Sequence, residues 1–160
     1  MGLLAACGET EVKEVSNTDK KDEKQELEKA EIPKKAFKVG DIVSVNGLEI
    51  TITSAKYSEP SEYTPSVNGK IITLDVSVKN TNAEQAFIDN TEFAIYDAEG
   101  TKMEDYYGYD EMAISDNVNA GKQLQGKLYF DVKEQETFEL IYTPTFTMDS
   151  KEIIFDINVQ

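Results

Sequence analysis

The chain contains no histidine, no arginine and no tryptophan, and Cys7 is its only cysteine among 160 residues. Without an imidazole, the Ser/His/Asp and Cys/His arrangements that activate a nucleophile lack their base. Structural zinc is excluded by the same inventory, because its ligands are cysteines and histidines. A lone thiol forms no disulfide within the chain. None is required at this length, since a chain above about 100 residues buries enough apolar surface unaided. One folded domain fits the length.

Positive charge is also scarce. All 16 basic residues are lysine, against 31 acidic ones, for a net charge of -15. Residues 8–36 hold nine acids and seven lysines, net -2, so residues 37–160 hold 22 acids and nine lysines, net -13. Nucleic-acid binding rests on lysine and arginine neutralising phosphates, so DNA, RNA and anionic lipid headgroups would be repelled by this domain. Cations and basic partner surfaces remain compatible with it, and the same acidity keeps an exported protein soluble.

What is present begins at Leu4-Ala5-Ala6-Cys7. Small residues leading to a cysteine read as a lipobox, the cleavage site at which that cysteine receives diacylglycerol and becomes the mature N-terminus. Two or three acyl chains anchor a protein stably where a single chain is marginal. Residues 1–7 are therefore read as the truncated end of a lipoprotein signal, lacking the basic start and long apolar stretch of a complete one. Met1-Gly2 does not read as a myristoylation signal, because Ala6 stands where that motif needs Ser or Thr. The expected location is the extracytoplasmic face of a bacterial cell membrane, held there through Cys7.

Residues 8–36 are dominated by Glu, Lys, Asp, Thr and Ser, with only Val12, Val15, Leu27 and Ile32 as larger apolar side chains. So little apolar surface does not offset the entropy of ordering, and a disordered tether is expected. As a flexible coil it would span roughly 30 Å on average and about 100 Å at full stretch.

From Phe37 the hydrophobic period is two rather than 3.6. Residues 41–45 lead into Asn46-Gly47, a strong two-residue hairpin signal, and then into Leu48, Ile50 and Ile52. Ile72, Leu74, Val76 and Val78 alternate with polar residues, as do Leu128, Phe130 and Val132, so each strand has a core face and a wet face. Phe93 and Ile95, then Phe138, Leu140 and Tyr142, and lastly Ile153, Phe155, Ile157 and Val159 continue the pattern. Seven or so such strands, with no convincing amphipathic helix, predict an all-β, immunoglobulin-like antiparallel sandwich over residues 37–160. Leu74, Val76, Leu128 and Phe130 are its expected core.

Several short pieces recur in a fixed order: Val39-Gly40-Asp41, Gly47-Leu48-Glu49-Ile50-Thr51-Ile52, Val78-Lys79-Asn80, Phe93 with Asp97 to Gly100, Gly121, Gly126-Lys127-Leu128-Tyr129-Phe130, Tyr142-Thr143-Pro144 and Phe155-Asp156-Ile157. In order and spacing they resemble the immunoglobulin-like domains of unknown function found in bacterial lipoproteins and secreted antigens. Lys133 departs from the pattern, at a strand end where that family often has proline. The resemblance implies a sandwich and an extracytoplasmic setting, and it brings no catalytic residue and no cofactor. Some members carry a telomeric repeat-binding label, which the acidic charge contradicts.

Residues 103–122 are too long for a simple hairpin, and loops beyond about 12–15 residues are usually functional or disordered. The run Glu104-Asp105-Tyr106-Tyr107-Gly108-Tyr109-Asp110-Glu111 sets three tyrosines among carboxylates. Tyr106, Tyr107, Tyr109, Asp110 and Glu111 form a candidate surface for a protein, peptide or envelope partner. A calcium site is an alternative, since clustered carboxylates suit a hard cation, but Val118 occupies a position where the EF-hand pattern needs an oxygen. The plainer reading has Tyr106 or Tyr107 continuing a strand, Met112 and Ile114 entering the core and the acids solvated. A second irregular stretch, residues 58–69, has no position relative to the first that the sequence reveals. The expected function is a lipid-anchored, non-enzymatic binding module, with an acidic, calcium-responsive structural domain as the alternative.

Overall fold

A computed structural model describes residues 11–15, 35–145 and 151–160. Its strands are β1 (Val12–Glu14), β2 (Phe37–Lys38), β3 (Val43–Val45), β4 (Leu48–Ser58), β5 (Lys70–Asn80), β6 (Ala86–Asp89), β7 (Phe93–Tyr96), β8 (Glu104–Asp105), β9 (Ser115–Val118), β10 (Gln123–Val132), β11 (Thr137–Tyr142) and β12 (Ile153–Asn158). They form a six-stranded sheet ordered β1-β3-β4-β5-β10-β8, a four-stranded sheet ordered β2-β12-β11-β7, and a small ribbon of β6 and β9. All pairs are antiparallel except β2 with β12, which run parallel.

Alternation dictates the packing. On the six-stranded sheet, Ile72, Leu74, Val76 and Val78 of β5 lie opposite Phe130, Leu128, Gly126 and Leu124 of β10. Every second residue points to the same face, so the register lines up one continuous apolar surface. It meets Phe93, Ile95, Phe138, Leu140, Tyr142, Phe155 and Ile157 of the other sheet, and Leu74, Val76, Leu128 and Phe130 are buried as expected. The β3–β4 hairpin turns at Asn46 and Gly47, whose φ of 51° and 80° place both in the left-handed region. Asn-Gly tolerates that conformation, which matches the twist of the flanking strands. β4 runs past the expected Ile52, and a register shift between Ile52 and Ser54 exchanges its faces, so that Ala55 and Tyr57 rather than Ser54 turn toward the core.

Three features differ from the sequence-based expectation. Within the expected tether, Val12–Glu14 forms an edge strand paired with β3. The bare edge of β3 supplies unpaired backbone groups, and flanking bonds run from the Val15 N–H to Ile42 O, from the Asn46 N–H to Glu11 O and from the Glu11 N–H to Asn46 Oδ1. Val12 also packs against the core. Residues 103–122, expected as one long loop, contain β8 and β9, and β9 pairs with β6. Ser115–Val118 carries no alternating pattern, yet Val118 and Ile114 enter the core. Met112 does not; it is 85% exposed.

Removing residues 1–15 is expected to expose the β3 edge and lower stability in urea by about 1–3 kcal/mol, from lost edge hydrogen bonds and Val12 packing. An unchanged denaturation midpoint would show that β1 does not hold in solution.

Candidate functional site

The outer face of the six-stranded sheet is not uniformly wet. Ile71 and Tyr129 point outward from β5 and β10, and Tyr106 closes over them to make a second, smaller apolar cluster, flanked by Tyr109 and Ala113. The cause is local. β8 pairs with β10 through Asp105 opposite Phe130, and the next amide, that of Tyr106, bonds to Tyr129 O at 2.9 Å. Continuing the ladder by one residue turns the Tyr106 ring onto the sheet.

The tyrosine hydroxyls then tie two loops together. The Tyr106 hydroxyl accepts from the Ser61 N–H at 2.7 Å and donates to Thr64 O at 2.6 Å. The Tyr109 hydroxyl donates to Glu59 O. Residues 58–69 and 103–113 therefore lie side by side. Gly108 permits the crossing, because a Cβ there would overlap the Tyr106 hydroxyl and crowd Thr64. Asp131, also outward-facing on β10, fixes the far end of residues 58–69. Its carboxylate accepts from the Ser66 hydroxyl and from the backbone N–H groups of Val67 and Asn68 at 2.6–2.9 Å. Burial raises its pKa, but these hydrogen bonds outweigh that effect and hold it below the ordinary value.

Between the loop and the sheet lies a cleft of about 210 Å³, lined by Asn90, Tyr106, Tyr107, Tyr109, Glu111, Met112, Ala113, Ser115 and Tyr129. The rings of Tyr106 and Tyr109, and of Tyr109 and Tyr129, are each 5.0 Å apart and inclined at 68° and 63°. Tyr107, 72% exposed, and Met112 stand at the rim. Glu111 reaches Lys127 Nζ at 2.7 Å. Burial raises the pKa of Tyr109 and of Tyr129, with Glu111 adding to the effect at Tyr129, so both rings stay neutral at physiological pH.

The candidate residues thus divide by position. Tyr106, only 4% exposed, belongs to the floor; Tyr109 is half-buried beside it; Tyr107, Asp110 and Glu111 are exposed. Tyr129, Met112 and Asn90 join them from outside the candidate set. Tyr129 reads in sequence as one more outward residue of a regular strand, so only the covering loop distinguishes it. Cys7 lies outside the described residues. Among the described residues, no three of His, Cys, Asp and Glu converge to hold a metal ion. Neutral tyrosines and a lysine-paired carboxylate offer apolar and electrostatic contact; they present no activated nucleophile.

These observations define a β-sandwich with a loop-built aromatic cleft on one outer face. The chain belongs to the family described as a domain of unknown function, DUF4352, whose model matches residues 37–153. It is 32% identical over 107 residues to the uncharacterized lipoprotein YcdA of Bacillus subtilis (strain 168), covering 64% of this chain and 30% of that protein. The crystal structure of B. subtilis YcdA aligns with a TM-score of 0.61 at 31% identity, over 69% of this chain and 36% of that one. The chain therefore spans about a third of the length of this relative. The sandwich also resembles B. subtilis YjhA, at TM-score 0.61 and 12% identity over 76% and 99% of the two chains. Secreted MPT63 of Mycobacterium tuberculosis aligns at TM-score 0.51 and 16% identity over 73% and 83%.

Asp131→Asn is expected to cost about 1.5–3 kcal/mol at neutral pH, because hydrogen bonds to a charged acceptor are lost. Asp131 has a folded pKa below its ordinary 3.8, so its contribution is complete above that value and is lost as pH falls through the lower folded one. Melting curves of the two proteins should therefore differ at pH 6 and draw together as the pH falls below the ordinary carboxylate range. A gap that persists at low pH would assign the loss to packing.

Proposed function

We propose that this chain is a lipid-anchored, non-enzymatic binding module on the extracytoplasmic face of a bacterial membrane, and that it binds through the tyrosine cleft. The single observation that carries this reading is the placement of exposed Tyr107 and Met112 around a concave floor of Tyr106, Tyr109 and Tyr129. Exposed large apolar side chains at the mouth of a preformed cleft are what a binding site requires, and most of the other surface acids are simply solvated. Anchoring is supported by the Leu4-Ala5-Ala6-Cys7 sequence and by the lipoprotein relative. Cys7 is the acylated residue in this reading. With β1 docked, the first paired residue, Glu11, follows Cys7 by four residues, so the edge of the sandwich is held within about 14 Å of the anchor. The tether then acts as a short leash instead of a long arm.

Calcium has no comparable support, since no three carboxylates converge among the described residues.

Two measurements test the reading. Expressed behind a complete signal sequence, the protein should partition with membranes, whereas Cys7→Ser should remain unprocessed or be shed; identical behaviour of the two would refute the anchor. For the cleft, isotope-labelled protein titrated with bacterial envelope extract should show amide shifts concentrated at residues 105–113. A Tyr107→Ala/Met112→Ala variant should lose those shifts while changing stability by no more than about 0.5 kcal/mol, as exposed substitutions do. Shifts centred on an outer strand such as β7 would place binding at a sheet edge.

A further inference from the structure

We infer that the two loops over the outer sheet face form one docking surface, built by Tyr63 and Val67 as well as by the cleft rim, and that its partner is a basic, amphipathic peptide segment. The inference rests on the proposed binding role of the cleft, which it widens and to which it gives a partner chemistry. Its first support is where apolar surface is left in solvent. Among the described residues, the four most exposed large apolar side chains are Tyr63, Val67, Tyr107 and Met112, at 72–89%. All four stand on residues 58–69 and 103–113, whereas the turns at 97–102, 119–122 and 133–136 show none. They are also neighbours. Gly108 lies against Thr64, which brings Tyr107 beside Tyr63, and Tyr107 and Met112 line the same cleft. Their exposure is fixed from beneath: the Tyr106 hydroxyl grips Ser61 and Thr64 on either side of Tyr63, and Asp131 accepts from the Ser66 hydroxyl and the Val67 N–H. A partner therefore meets apolar side chains on a backbone already ordered, which lowers the cost of binding.

Charge selects the partner. The two segments carry Glu59, Glu62, Glu104, Asp105, Asp110 and Glu111 and no lysine. Among the described residues, Lys127 pairs with Glu111 and Lys102 stands near Asp105, while Glu59, Glu62, Glu104 and Asp110 have no ion pair. A second copy of the domain would bring acid against acid, and like charges facing each other across an interface cost affinity. A basic segment meets these carboxylates with lysine or arginine and lays its aliphatic side chains on tyrosine and methionine, residue types that interface centres favour.

Position sets a lipid surface aside. β1, which the anchored reading holds near the bilayer, pairs with β3 opposite the start of β4, whereas residues 58–69 leave the far end of β4. From Ile50, level with β1, to Ser58 the strand advances about 25 Å. Residues 103–113 reach the sheet at β10, which β3, β4 and β5 separate from β1, roughly 20 Å across. The surface thus occupies the corner of the sheet diagonal to the anchored edge. Its carboxylates are repelled by anionic headgroups as well.

The test uses the full chain carrying Cys7→Ser to keep it in solution, with amide shifts as the readout. The probes are a short amphipathic peptide of leucine and lysine, its leucine/glutamate and serine/lysine counterparts, and vesicles of phosphatidylcholine with phosphatidylglycerol. The leucine/lysine peptide should shift residues 59–67 and 104–112 together and bind at least about tenfold more tightly than either counterpart. Tyr63→Ser/Tyr107→Ser, at exposed positions that leave the melting temperature unchanged, should weaken it about tenfold. Glu59→Gln/Glu62→Gln/Asp110→Asn should weaken it several-fold and flatten its salt dependence, whereas Glu134→Gln/Glu136→Gln/Glu139→Gln, exposed acids elsewhere, should not. Equal loss from the two charge variants would reduce binding to net charge and overturn the inference. Equal binding of the serine/lysine peptide overturns the apolar contact, and equal binding of the leucine/glutamate peptide overturns the basic one. Vesicles that move the same amides would make the occupant a membrane, and shifts that grow with protein concentration alone would make it a second copy; either overturns the inference. No response to the leucine/lysine peptide, where envelope extract still shifts residues 105–113, overturns the inference and leaves the binding role standing.

Discussion

Tyr106 leaves β8 with its amide bonded to Tyr129 O and its ring lying on Ile71 and Tyr129, and what distinguishes this sandwich follows from that closure. A bare antiparallel sheet would show polar side chains on its outer face, and β5 and β10 do so through Asp75, Ser77 and Lys127. At their other end the same face carries Ile71, Thr73 and Tyr129, which are buried only because the chain returns over them. The Tyr106 hydroxyl then reaches past Gly108 to Ser61 and Thr64, so one side chain joins the sheet to two otherwise irregular segments. The cleft is the space left between them.

Such a site costs little to keep open. Its floor is held by strands whose inner faces form the main core, and its walls are held by hydrogen bonds that engage the Tyr106 and Tyr109 hydroxyls without a ligand. Little side-chain entropy is left to lose at the floor on binding, which is the advantage of a preorganised site. Asp131 performs a matching role for residues 66–68, where one carboxylate gathers two backbone amides and a hydroxyl. At the opposite edge of the same sheet, β1 covers the backbone of β3, so the N-terminal segment is part of the domain before it is part of any tether.

Much of this was legible from residue order. The period of two between Phe37 and Val159, the Asn46-Gly47 turn and the phase of Leu74, Val76, Leu128 and Phe130 all correspond to observed strands, because half-buried strands write their burial into alternation. Features stabilised by contacts remote in sequence were not legible. Val12–Glu14 is too short and charged to signal a strand, and its partner edge lies about 30 residues further on, at Val43–Val45. Ser115–Val118 lacks alternation because only Val118 faces inward. The tyrosine run marked the right loop, but composition could not separate Tyr106 and Tyr109, spent on structure, from Tyr107 at the rim. Nor could it add Tyr129, which needs the loop above it to become part of a site. Met112 illustrates the converse: an apolar residue in a loop carries no phase, and it stands in solvent beside Ile114, which does not.

If the cleft is preformed, the Tyr106 amide must be protected in the free protein. Amide hydrogen exchange on the unliganded chain measures this directly, since the Tyr106 N–H to Tyr129 O bond is the hinge of the whole arrangement. The expected result is slow exchange at Tyr106, of the order seen for the β10 amides around Leu128 and Phe130. Exchange as fast as that of an open loop would show that residues 103–113 do not rest on the sheet, and that the cleft is not built in advance of its ligand.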